Sequence, residues 1–127
     1  LAVARIIKIR NIQLDGNRPG AGFHQDGGAN IEIGGGSTGQ VVSHVATRNP
    51  RGWSYLHVVG SGKDGSPCKK ASITNNDIGP CGEAGYNVHG QGLRADGISL
   101  DCTDSLVQDN TVSGNKNEAH EDRVNRV

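Results

Sequence analysis

The chain is poor in the residues that usually build a thick globular core. Of 127 residues one is Phe, one is Trp, two are Tyr and none is Met. Large aromatic side chains dominate ordinary cores, so their scarcity argues against a bulky three-dimensional interior. Charge of one sign is also lacking: 13 Lys and Arg stand against 13 Asp and Glu. A zero net charge removes the electrostatic footprint expected of a nucleic-acid binder or of a protein drawn to an anionic membrane. No apolar run approaches the ~20 residues needed to span a bilayer. Without Cys-x-x-Cys, nothing suggests zinc or dithiol redox chemistry. Without an Asn-x-Ser/Thr sequon, secretion gains no support from glycosylation. The absence of Met leads us to expect a processed form or a fragment of a longer chain.

Glycine, in contrast, is abundant at 20 residues, about twice its average share. The apolar residues are largely Ile and Val, which favour strands. The length suits one domain. Many turns and small β-branched hydrophobes suggest many short strands. Disorder is the competing reading of a polar, Gly-rich chain, but disorder does not generate a repeat.

A repeat is present. Ile9–Gly16, Val42–Asn49, Ile73–Pro80 and Val107–Gly114 align, with first residues 33, 31 and 34 positions apart. The first position is always Ile or Val. The sixth is Leu14, Thr47, Ile78 and Val112, and the eighth is Gly16, Asn49, Pro80 and Gly114, all turn residues. The fourth position is Ile12, Val45, Asn76 and Asn110. Its odd offset breaks pure strand alternation and implies a bend between two short strands. An inward Asn at such a bend can hydrogen-bond its equivalent in the next repeat, so Asn76 and Asn110 should form a short ladder.

Further strands are expected at Asn30–Gly34, Tyr55–Val59 and Gly97–Leu100. Propeller blades are longer and often carry a Trp-Asp signature, and sandwich strands come at closer spacing with hairpin turns. Strands that recur at one phase stack in parallel, each repeat burying its Ile/Val set against the next. The expected fold is all-β: a single-stranded solenoid, a parallel β-helix of about four coils with long Gly-rich loops, over residues 1–114. A Greek-key or sandwich β-domain is the alternative. Residues 115–127 carry Lys116, Glu118, Glu121, Asp122, Arg123 and Arg126. They read as a charged tail, frayed or truncated, or as a short capping helix through Glu118–Val124. A β-helix with an uncovered end exposes unpaired strands, so the chain is expected to be marginal alone, and monomeric if its ends are capped.

Ile73-x-Asn-Asn-x-Ile78 and Val107-x-Asp-Asn-x-Val112 resemble repeats of the pectin-lyase-like right-handed β-helix proteins. Ala95–Leu100 followed by Ser105–Val112 resembles the secreted fungal members in particular. The resemblance covers roughly residues 5–114 and implies a right-handed solenoid. It also implies an extracellular location and a polysaccharide partner, with hydrolase or lyase action on acidic, pectin-like glycans. Hydrolases, lyases, epimerases and non-enzymes share that fold, so it implies no single reaction. Polygalacturonase-like hydrolases carry Asn-Thr-Asp, Asp-Asp, Gly-His-Gly and Arg-Ile-Lys elements. Here Asp96 follows Ala95, no Asp-Asp pair occurs, Val88-His89-Gly90 lacks the first glycine, and Arg5-Ile6-Ile7-Lys8 has an extra residue at the opposite end of the chain.

Candidate chemistry gathers in two places. Asp96 and Asp101 flank the strand Gly97–Leu100, with Ile98 and Leu100 inward and Ser99 and Asp101 outward. Two carboxylates on one surface serve glycoside hydrolysis at roughly 5–9.5 Å separation; with Asp104 they could bind Ca²⁺. The plainer reading is that each Asp caps a turn. Arg51, Trp53, Tyr55 and His57 share strand parity and could form a sugar-binding strip, in which Arg pairs with carboxylates. Trp53 could equally be the largest core residue. His57 is grouped with Asp96 and Asp101 as a catalytic candidate, and Arg94 with the substrate-binding set. His24-Gln25-Asp26 and His89 lack diagnostic metal spacing, so no metal site is assigned. Gly34–Gly39 lacks the lysine of a phosphate loop. Cys68 and Cys81 bracket the strand at Ala71–Ile78 and are the disulfide candidates, leaving Cys102 buried or paired elsewhere.

Three functions follow. One is a secreted carbohydrate-active enzyme, hydrolase or lyase. The second is a non-catalytic glycan-binding or structural β-helix. The third is an inactive fragment of the first.

Overall fold

The structure, a computed structural model, describes residues 7–24, 28–79 and 95–113. Its strands come in order as β1 (Lys8–Arg10), β2 (Gln13–Asp15), β3 (Ala29–Gly34), β4 (Val41–Ser43), β5 (Ala46–Arg48) and β6 (Ser54–Val59). They continue as β7 (Ser72–Thr74), β8 (Asp77–Ile78), β9 (Asp96–Leu100), β10 (Leu106–Gln108) and β11 (Thr111–Val112). One helical turn, α1 (Arg18–Ala21), follows β2. No helix among the described residues is long and apolar enough to cross a membrane.

The fold is all-β, and every strand pairing is parallel. Each strand pairs with the strand three places along the chain, giving three sheets ordered β1-β4-β7-β10, β2-β5-β8-β11 and β3-β6-β9. The sequence repeat is the pairing register. Its first position aligns Ile9, Val42, Ile73 and Val107 across the first sheet. Its sixth aligns Leu14, Thr47, Ile78 and Val112 across the second. In the third sheet Ile31, Leu56 and Ile98 align, as do Ile33, Val58 and Leu100.

Burial follows position in the stack in two of the three sheets. In the first two sheets Val42, Ile73 and Ile78 are completely buried, whereas Ile9, Leu14, Val107 and Val112, each with one stacking neighbour in its sheet, are only partly covered; in the third sheet Val58 of the central strand and Ile98 of an edge strand are both completely buried. Each fully buried Ile, Leu or Val adds roughly 1.5–3 kcal/mol over leaving it in water, so the inner repeats hold the stack.

The bend inferred at the fourth repeat position is real, and the residue before it makes the turn. Asn11, His44, Asn75 and Asp109 all sit in the left-handed backbone region with φ of 57, 53, 57 and 59°. Asn, Asp and His are the non-glycine residues that tolerate this region best. The predicted Asn ladder also forms: Asn76 Nδ2 donates to Asn110 Oδ1 at 2.9 Å. Glycine is required where repeats crowd. A Cβ on Gly34, at φ 103°, would strike the backbone of Val59 in the paired strand.

The disulfide differs from the expected pairing. Cys68 is bonded to Cys102, 34 residues away, with Cα atoms 4.8 Å apart. The reason is the stacking period: 34 residues is one repeat, so the two cysteines are neighbours in adjacent repeats, next to the bridged pair Lys69 and Thr103. A pairing inferred from short sequence distance misses this vertical relationship. Cys81 and the whole 115–127 tail lie outside the described residues.

Candidate functional site

The third sheet breaks strand alternation once in every member. In β6 the consecutive residues Tyr55 and Leu56 are both buried, at 2% and 1% exposure. In β3 the side chain of Asn30, next to inward Ile31, donates to Thr47 Oγ1 at 2.9 Å and to the Arg48 carbonyl at 2.8 Å. In β9 a Cβ on Gly97, next to buried Ile98, would strike the Val112 side chain. Both residues of each pair therefore face the interior, and each strand bends there.

The bend leaves two rows on the outer side. Glu32, His57 and Ser99 are in register across β3, β6 and β9, as are Ala29, Ser54 and Asp96. The rows touch. Ser99 Oγ donates to Asp96 Oδ2 at 3.3 Å and lies 3.5 Å from Ser54 Oγ. His57 Nδ1 meets Glu32 Oε2 at 3.1 Å. A carboxylate only accepts, so the shared proton sits on Nδ1 and Nε2 keeps its lone pair in the neutral ring. Trp53, just before β6, packs edge-on against His57 with ring centroids 4.7 Å apart. It remains 36% exposed, among the most exposed large hydrophobics described.

The predicted residues divide accordingly. Trp53, His57 and Asp96 fall on this one surface. Tyr55 does not: the bend turns it inward, which simple alternation could not anticipate. Arg51 is directed elsewhere. Its Nε and Nη2 donate to the carbonyls of Gly22 and Ala21 at 2.9 and 3.2 Å, satisfying the C-terminal end of α1.

Asp96 and Asp101 stand at opposite ends of β9, with backbones roughly 16 Å apart at about 3.3 Å per residue, and Asp101 lies against Gly60. They do not form the carboxylate pair of a glycosidase. Nor do Asp96, Asp101 and Asp104 converge on a Ca²⁺ position; among the described residues no three His, Cys, Asp or Glu side chains do. Arg94, His89 and Asp26 lie outside the described residues. Glu32 and Ser54 carry no signal in the sequence, and Ser99 reads there only as an outward residue, because the register alone brings the three together.

No family model, curated protein or solved structure matches the chain.

In chemical terms the surface offers an exposed aromatic face and an imidazole held by a carboxylate, with the buried hydroxyls of Ser54 and Ser99 beneath them beside a second carboxylate. Such a set can stack on a flat apolar ring face, exchange hydrogen bonds with hydroxyl groups and move a proton.

Proposed function

We propose that the chain belongs to a right-handed parallel β-helix, a single-stranded solenoid of about four coils, in a secreted carbohydrate-active protein. A polysaccharide lies across the outer side of its third sheet. Three supports underlie the solenoid: the parallel pairing of every third strand, the resemblance to pectin-lyase-like repeats, and the right-handedness of about 98% of parallel crossovers.

One observation carries the functional reading. Trp53 is exposed beside His57, on a row of polar side chains that runs across three strands. A sugar chain presents alternating apolar ring faces and hydroxyl edges, and this row presents their complements. The described charges narrow the glycan. The Glu32 carboxylate is 53% exposed and would repel uronates beside it, and the Arg51 fork is held by α1. A neutral plant-type polysaccharide therefore fits better than an acidic pectin.

Binding is the primary reading. A catalytic reading is favoured by the Glu32–His57 contact, which equips Nε2 as a general base; the separation of Asp96 from Asp101 disfavours two-carboxylate hydrolysis through that pair. Retention on immobilised neutral and acidic polysaccharides, with product release followed in the same samples, tests both. The proposal expects retention on a neutral glycan that Trp53→Ala abolishes. Retention that is indifferent to Trp53, or absent throughout, overturns it.

A further inference from the structure

The row Glu32–His57–Ser99 has the order of an acyl-transfer relay: acid, imidazole, hydroxyl. β6 is the central strand of its sheet, so His57 has Glu32 on one neighbour and Ser99 on the other. Glu32 Oε2 holds Nδ1 at 3.1 Å, which fixes the tautomer and leaves Nε2 on the other side of the ring as a base. Adjacent parallel strands lie about 4.8 Å apart, so an in-register Ser and His are within reach of one another. Ser99 is 8% exposed. Its hydroxyl rests on Asp96 Oδ2 at 3.3 Å, so the relay requires it to turn about its Cα–Cβ bond toward the imidazole.

We infer that Ser99 is a nucleophile activated by His57, with Glu32 positioning the imidazole, and that the site cleaves short acyl esters carried on sugar hydroxyls. In the first half-reaction Ser99 Oγ attacks the ester carbonyl carbon as its proton passes to His57 Nε2. The tetrahedral species collapses, the sugar oxygen leaves, and it takes the proton back from Nε2. In the second, water loses a proton to Nε2 and attacks the acyl-Ser99 carbonyl, releasing the carboxylic acid and restoring the serine hydroxyl. Atoms and electrons balance with water as the only co-reactant. Asp96 accepts the resting hydroxyl and so competes with His57 for Ser99; it is a positioning residue here.

The ester class rests on the glycan reading of this face, but the relay does not, and the test separates them. The chain is treated with an alkyl fluorophosphonate, which needs no sugar, and the adduct is located by peptide mass spectrometry. The inference predicts one adduct, on Ser99, and hydrolysis of p-nitrophenyl acetate. His57→Ala should slow both by at least about a hundredfold, Glu32→Gln should slow them less, and the folded state should persist by circular dichroism. An unlabelled Ser99 in the folded protein, or labelling as fast in His57→Ala, overturns the relay. Labelling without glycan retention leaves the relay standing and removes the sugar ester as its substrate.

Discussion

Asn76 and Asn110 occupy the same place one repeat apart and make the same bonds. Asn76 Oδ1 accepts from the Val45 amide at 3.0 Å, and Asn110 Oδ1 accepts from the Asn76 amide at 3.0 Å. Asn76 Nδ2 donates to the Val42 carbonyl at 3.0 Å, and Asn110 Nδ2 donates to the Ile73 carbonyl at 2.8 Å. Each side chain satisfies backbone groups that the bend removes from the ladder of the preceding repeat. Asn76 is buried at 3% exposure, so its loss strands the Val45 N–H and a Val42 lone pair without water. Asn76→Ala should cost about 2–4 kcal/mol, since each buried unsatisfied group costs about 1–3 kcal/mol. Asn110→Ala, at a half-buried position, should cost about half as much. Urea unfolding of the two variants checks the order; equal costs would show that burial at this corner does not matter.

The disulfide staples two repeats. For a closed loop of 34 residues, the chain-entropy model gives about 3–4 kcal/mol of stabilisation. Cys68→Ala with Cys102→Ala should lower stability by about that much relative to the oxidised protein. Non-reducing digestion should release a peptide pair joining Cys68 to Cys102, with alkylation falling on Cys81. A Cys68–Cys81 linkage would refute the stacking of those two loops.

The left-handed corner predicts a cost that burial alone does not. Asn75 is solvent-exposed and sits at φ 57°, a region that costs a β-branched residue about 1–2 kcal/mol. Asn75→Val should therefore destabilise by that amount, while His44→Asn at the equivalent corner should be neutral or slightly stabilising. Thermal unfolding of the pair distinguishes conformational strain from lost contacts.

The loop before Cys68 has a pH signature. Hydrogen bonds from the Ser66 side chain and backbone hold the Asp64 carboxyl below its ordinary value of 3.8. A depressed folded-state value means that this contribution to order is fully present above the unfolded value and is lost as pH falls through the folded one. The Ser66 amide resonance should shift below pH ~4, and Asp64→Asn should remove the transition. Persistence of the transition in Asp64→Asn would assign it to another group.

Much of this architecture was legible because it is periodic. Ile9, Val42, Ile73 and Val107 announce the first sheet, and the odd offset of Asn76 and Asn110 announces both the bend and the ladder. The candidate site was legible only in part. Trp53, His57 and Asp96 stood out by residue type, but Glu32 and Ser99 have no local signal. They meet His57 across connections of unequal length, from 32 to 57 and from 57 to 99, so their alignment depends on how much chain each loop absorbs. Tyr55 was misplaced because a single bend in β6 shifts parity. Cys102 reads locally as buried or paired elsewhere, and its bond to Cys68 follows only from the 34-residue stacking period. For Glu32, Ser99 and Cys102 the deciding relationship is long-range register; for Tyr55 it is a local bend.

Trp53 is a direct reporter of a glycan against the outer side of the third sheet, because the chain has no other tryptophan. Its intrinsic fluorescence should change saturably on titration with a neutral plant polysaccharide. His57→Ala should weaken the apparent affinity about tenfold, equivalent to about 1.4 kcal/mol. A spectrum that stays constant while the protein is demonstrably bound to the same polysaccharide would place the glycan elsewhere and contradict the account.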